Sequence, residues 1–359
     1  MKENTIAQLN RAVKQGRKHL FERPKRLSKG RLLSDWAIGL ELEYEDVTGG
    51  STRLARDDSP WEVTGDGSLR NMGAEFRFKQ GLGGKEALDA IDMFYDIKRK
   101  SGKAWAANRR TSVHVHLNML PLTYGEVQRI LAVYGLVEPA LYTFVGAERE
   151  ENIYCIPFYR ADKVDVGRIK ELDMMAKDEK IDTTDVRAYF RHTFRHNNKY
   201  SGLNTQCLAS FGTLEFRQAP SLSRPKLLVW LNLLTSIAHY GLEAESTEEI
   251  IAQYEELGAL LFCRKVFGEY YSNLDIRELN TRTGKKLQAF NDAVDVVSIA
   301  ERLGGILPVR KADTGAMWQI GSSVVGRRSK ERKPKKKRLY GKRKPKYLNM
   351  LPPENDING

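Results

Sequence analysis

Gly39-Leu40-Glu41-Leu42-Glu43-Tyr44-Glu45 alternates strictly between apolar and acidic residues. That period of two is the signature of a strand buried on one face only. Three later stretches share the pattern. Ala74-Glu75-Phe76-Arg77-Phe78 sets Glu75 and Arg77 against two aromatics. Ser112-Val113-His114-Val115-His116-Leu117-Asn118 sets Ser112, both histidines and Asn118 against Val113, Val115 and Leu117. Thr213-Leu214-Glu215-Phe216-Arg217 sets Glu215 and Arg217 against Leu214 and Phe216. If these strands share one sheet, one face is core and the other a floor of carboxylates, imidazoles and guanidiniums. Three carboxylates in a row on a strand face repel one another, which is tolerable if the face is wet or a cation sits there.

Singly, each motif has a plainer reading. Glu-x-Glu is usually a solvated strand face, His-x-His more often holds no ligand, and Glu-x-Arg is commonly a surface pair of little energetic weight. Four such strands in one chain are harder to explain as surface alternation. Magnesium takes hard oxygen ligands and bridges carboxylates to nucleotide phosphates. Glu41, Glu43, Glu75 and Glu215 offer such oxygens, and His114 adds a nitrogen friendlier to manganese. One arrangement accommodates them all: two Mg2+ (or Mn2+) ions clamping the phosphates of ATP, with Arg77 and Arg217 each able to fork onto a phosphoryl oxygen. The chain has neither the G-x-x-x-x-G-K-[ST] spacing nor a G-x-G-x-x-G after a strand, so a nucleotide must be held another way.

The order G-x-E-x-E, then D-G-S-L with a following E-F-R, then H-x-H, then E-F-R, resembles the carboxylate–amine ligases of the glutamine synthetase and glutamate–cysteine ligase superfamily. The closest likeness is to its amidoligase branch, common in bacteria and their viruses, over roughly residues 36–220. The resemblance implies ATP-dependent activation of a substrate carboxylate as an acyl phosphate, which an amine then attacks. Carried onto this sequence, it makes Glu41, Glu43, Glu75 and Glu215 metal carboxylates and His114 a metal or phosphate histidine. His116, Asn118 and Arg217 fall on phosphate-side positions, Lys199 and Asn204 enter the same pocket, and Asp66 lines it unless it is only a turn residue. Arg77 and Arg110 join the nucleotide-binding set, and Glu41, Glu215 and Arg217 are the expected catalytic residues. The acid and the amine are the implied partners, their identities open. A kinase-type phosphoryl transfer on the same superfold is the alternative enzyme reading.

The expected fold is α+β: a curved antiparallel sheet with the polar floor on its open face, backed by helices over residues 85–100, 123–148 and 224–242. Pro139 is expected to kink or break the second helix, and Pro225 to open the third. Trp61 to Thr64 reads as a short strand, residues 49–60 as a loop, residues 200–218 as a hairpin turning at Ser210-Phe211-Gly212, and residues 246–301 as helical. Residues 5–20 read as an amphipathic helix and 22–31 as a basic linker.

Charge divides the chain. The net charge is +13, of which residues 1–31 carry +8 and residues 327–359 carry +10, leaving −5 on the body. The basic ends therefore say nothing about the site. Three regions are expected: a basic helix and linker (1–31), a ligase domain (32–310) and a low-complexity basic tail (311–359), disordered on its own. Residues 327–347 could contact nucleic acid or another polyanion, and a nucleic-acid-binding role through these termini is the rival outside enzymes. Three scattered cysteines without a C-x-x-C pair, no apolar run of membrane-span length and no apolar leader point to a cytoplasmic protein without membrane contact.

Overall fold

The computed structural model describes residues 18–47, 51–101, 105–157 and 200–275. Six strands form one open, wholly antiparallel sheet. They are β1 (Ile38–Tyr44), β2 (Trp61–Thr64), β3 (Ala74–Phe78), β4 (Val113–Asn118), β5 (Leu203–Asn204) and β6 (Thr213–Phe216), in the order β2-β3-β1-β4-β6-β5. The four alternating stretches are thus neighbours, with β1 between β3 and β4. Four long helices accompany the sheet: α1 (Gly84–Lys100), α2 (Tyr124–Val145), α3 (Arg224–Glu243) and α4 (Thr247–Phe267).

The apolar strand faces build the core. Leu40, Leu42, Tyr44, Phe76, Val113, Val115, Leu117, Leu214 and Phe216 are all buried in one cluster with the helices. Against α1 the filling is aromatic: Phe76 stacks on Trp105 with ring centres 4.9 Å apart, and Trp61 lies 5.1 Å from Phe94 and donates its indole N–H to Ala90 O at 2.9 Å. Against α2, Phe216 meets Tyr134 edge to face at 5.6 Å. Aromatic pairs of this kind add to the burial energy and fix the packing angle.

Helix starts follow local chemistry. Thr123 and Glu126 form a reciprocal capping box at the start of α2, and Pro225 occupies the first turn of α3. Helix α2 does not break at Pro139 but continues to Val145, almost wholly buried along its length. Burial there outweighs the single backbone hydrogen bond that proline removes.

Other expectations need correction. Residues 51–54 form a helical turn inside the expected loop. The expected 200–218 hairpin is an antiparallel pair, but β5 is only two residues long and residues 207–210 coil into a helical turn before β6. Gly212 makes the tight entry into β6: its φ is +70°, and a Cβ there would lie 2.2 Å from Leu120 Cδ2. Residues 18–21 are a 3₁₀ turn. The basic linker is tied to the body. Arg23 pairs with Glu126, Arg26 with Glu243 at 2.7 Å, and buried Asn232 holds both Leu33 N (2.7 Å) and Arg31 O (2.8 Å). Helix α4 turns at Gly258 and a 3₁₀ segment ends at Asn273. Residues 1–17, where most of the expected N-terminal helix falls, residues 158–199 with Lys199, and residues 276–359 with the basic tail lie outside the described residues.

Candidate active site

Strand register sets the polar face out in three rows. Across the first, Asn204 on β5 faces Glu215 on β6, which faces His116 on β4, which faces Gly39 on β1. The second runs His114, Glu41, Arg77, Glu62, and the third Glu43, Glu75, Thr64. Gly39 has a steric reason: a Cβ there would lie 3.2 Å from His116 Cβ.

Glu41 and the two histidines form the centre. His114 Nδ1 lies 2.9 Å from Glu41 Oε2 and 3.6 Å from Glu215 Oε1, while His116 Nε2 lies 3.4 Å from Glu41 Oε1. His114 Nε2 is 3.1 Å from Ser112 Oγ and 3.8 Å from Glu43 Oε1. Ser112 donates to Glu43 Oε2 from its N–H (2.8 Å) and its hydroxyl (2.6 Å). Glu215 accepts from Arg217 and from Asn204 at 2.6 Å. Glu43, His114, Asn204 and Glu215 are buried, and Glu41, Glu75, His116 and Arg217 partly so. Ser112 was visible in the sequence, two residues before His114 on the same face, but its role as the clamp on Glu43 depends on pairing between distant segments.

The electrostatics follow from this crowding. Burial alone would raise the Glu41 carboxyl, but hydrogen bonds and charge from His114 and His116 outweigh it and hold the carboxyl far below its usual range. Burial likewise opposes His116 protonation, and Glu41 and Glu215 overcome it, so that its pKa rises. Burial would raise Glu215 too, and Arg217 with the two histidines pulls it down instead. Glu75 goes the other way, to about 7, raised by burial and then by the charges of Glu41 and Glu43. Glu43 and Glu75 are direct cross-strand partners, a like-charge pairing that costs free energy unless a proton or a cation intervenes. The donor set therefore fits a divalent ion. Glu41, His114 and Glu215 each bring a ligand atom within 4.8 Å of the others, and the neighbouring carboxylates supply further hard oxygens.

Other expected site residues have polar partners of their own. Arg77 pairs with Glu62 at 3.0 Å. Asn118 donates to Leu20 O (2.7 Å) and accepts from Leu120 N (3.2 Å). Asp66 accepts from Ser68 N at 2.5 Å, as a turn aspartate does. Arg110 forks onto Glu45 at 2.8 and 2.7 Å, and Glu45 also accepts from Arg70 N and Asn108 Nδ2. Led by the Arg110 hydrogen bond, these contacts hold the Glu45 carboxyl at about 2. A depressed carboxylate contributes stability that is full above the unfolded value near 4.5 and is lost as pH falls towards 2. Arg110→Gln is therefore expected to move the acid-unfolding midpoint to higher pH, with the neutral-pH fold retained; circular dichroism across pH 2–6 measures it, and an unchanged midpoint refutes it.

Residues 82–238 match a family described as "Putative amidoligase enzyme", which supports an enzyme of ligase type. The amidoligase family is the one that the strand motifs resemble. The matched segment carries His114, His116, Asn204, Glu215 and Arg217; Glu41, Glu43 and Glu75 precede it. No curated protein matches the chain. Among the described residues no helix is long and apolar enough to cross a membrane.

Proposed function

We propose that the chain is an ATP-dependent carboxylate–amine ligase. The observation that carries this reading is the convergence of Glu41, Glu43, Glu75, His114 and Glu215 from four adjacent strands, within a chain whose 82–238 segment matches an amidoligase family. These five residues would hold Mg2+ or Mn2+, in one or two sites. Such ions, when bound, neutralise phosphate charge during transfer.

The chain's own groups supply the rest. A substrate carboxylate oxygen attacks the γ-phosphorus of ATP, ADP leaves, and an acyl phosphate forms. The amine nitrogen then attacks the acyl carbon, phosphate leaves with the bonding pair, and the amine proton passes to solvent or phosphate. Arg217, fixed by Glu215 and with its Nε buried and unpartnered among the described residues, is suited to a phosphoryl oxygen. His116, drawn towards its cationic form and steadied by Thr213 at 3.0 Å, is a second donor to the transferred group.

The test is ATP turnover with Mg2+ or Mn2+ across a panel of acids, with and without amines, hydroxylamine serving as a trap. The expected result is ADP formation that depends on one acid, with a hydroxamate in the trap. Phosphorylation of a guanidinium or hydroxyl substrate, with no hydroxamate, would replace this reading by a kinase.

A further inference from the structure

Glu215 belongs to two overlapping ligand sets. The first is Glu41–His114–Glu215. In the second, a ring nitrogen of His116, the Cys207 sulfur and a Glu215 oxygen also lie within 4.8 Å of one another. The two oxygens of Glu215 have different partners. Oε1 accepts from Arg217 and lies 3.6 Å from His114 Nδ1. Oε2 accepts from Asn204 at 2.6 Å and from the Cys207 thiol at 3.3 Å. The oxygen that the Cys207 thiol meets is thus not the one that Arg217 engages.

The chemistry of the second set differs from that of the first. Sulfur adds nothing to a magnesium site, whereas cysteine, histidine and carboxylate together are zinc ligands. Around tetrahedral zinc such atoms stand roughly 3.3–3.7 Å apart, so small side-chain rotations would close the set. Thr213 already holds the His116 ring through Nδ1, as a partner on the other nitrogen orients a metal-binding imidazole. Cys207 and Glu215 are buried and His116 nearly so, which sets them apart from an exposed acidic cluster.

We propose that His116, Cys207 and Glu215 form a site for a zinc-type ion, distinct from the hard-ligand set, and that Zn2+ bound there withdraws Glu215 from that set. On binding, the Cys207 thiol gives its proton to solvent and three coordinate bonds form, leaving one position open to water. The binding itself does not depend on the ligase reading; only the competition with Mg2+ rests on it.

The experiment titrates metal-free, full-length protein with Co2+ as a spectroscopic stand-in for Zn2+. The expected result is a near-ultraviolet thiolate-to-cobalt charge-transfer band at one equivalent, displaced by Zn2+ and not by excess Mg2+. Cys207→Ser is expected to lose the band and to weaken Zn2+ binding by about 100-fold or more, beyond the loss typical of a residue that only supports a ligand. The double variant Cys155→Ser/Cys263→Ser, which leaves Cys207 as the sole thiol, is expected to keep it. No band in the wild-type protein, a band that survives Cys207→Ser, or a band lost in the double variant overturns the proposal. If no ATP turnover is found, the spectra still decide it. If turnover is found, Zn2+ inhibition that Cys207→Ser relieves supports the competition, and equal inhibition of both proteins refutes it.

Discussion

Under the proposed ligase reading, Glu41→Gln is expected to lower ATP turnover by at least about 10²- to 10³-fold, the scale seen when one electrostatic contact to a reacting group is removed, while the protein stays folded. The expected split comes from what Glu41 touches. Its two oxygens reach His114 at 2.9 Å and His116 at 3.4 Å, so the substitution strips the central negative charge from between two imidazoles. His116 then loses the leading contact that raises its pKa. The metal set loses one of three convergent ligands. The fold does not depend on this charge: β1 is held by Leu40 and Leu42 in the core and by backbone pairing to β3 and β4. Glutamine has the same shape, and removing the Glu41 charge relieves Glu75, whose carboxyl burial first and that charge second raise to about 7. Turnover and thermal midpoint measured on the same preparation decide the matter. A variant within tenfold of wild type would remove Glu41 from the machinery, and loss of turnover with loss of fold would refute the claim that its role is local to the site.

Much of this site is legible in the sequence because a half-buried strand writes its two faces as alternate letters. Once Leu40, Leu42, Phe76, Val113, Val115, Leu214 and Phe216 are taken as core, Glu41, Glu43, Glu75, His114, His116 and Glu215 must share the opposite face. What the alternation does not carry is which strands are neighbours, and therefore which polar groups meet. That Arg77 answers Glu62, that Arg110 answers Glu45, and that Ser112 clamps Glu43 depend on pairings between segments 15, 65 and 69 residues apart. Cys207 gave no signal either. The short run Cys207-Leu208-Ala209-Ser210 suits a strand or a helical turn, and it forms the turn. Residues whose partners are carbonyls are the hardest of all to find, because backbone acceptors have no letter in the sequence.

Arg149 is the largest case of that kind, and Arg149→Met is expected to cost about 3–5 kcal/mol of stability, the range for stripping one partner from a buried charged network. The side chain is buried and fans onto the end of β6: Nε donates to Gln218 O at 2.7 Å, Nη2 to Arg217 O at 3.2 Å and to Ala219 O at 3.5 Å, and Nη1 reaches Arg109 O at 3.5 Å. Methionine fills much of the volume but offers no donor, so Gln218 O and Arg217 O lose the arginine in a buried place, each a penalty of about 1–3 kcal/mol, while Ala219 O keeps Val113 N and Arg109 O keeps Asn152 Nδ2. The damage falls beside the chemistry. Val113 N pairs with Ala219 O, and Arg217 N with Gly202 O, in the same stretch. Loosening it displaces the Arg217 backbone, and with it the guanidinium that Glu215 holds. Arg149→Lys, which keeps a charge but not the fork, is expected to recover only part of the loss, since one ammonium cannot reach carbonyls spread over residues 217–219. Chemical denaturation of the two variants measures this directly. An unfolding free energy for Arg149→Met within about 1 kcal/mol of wild type would mean that water replaces the arginine, and that the end of β6 is held by strand pairing alone.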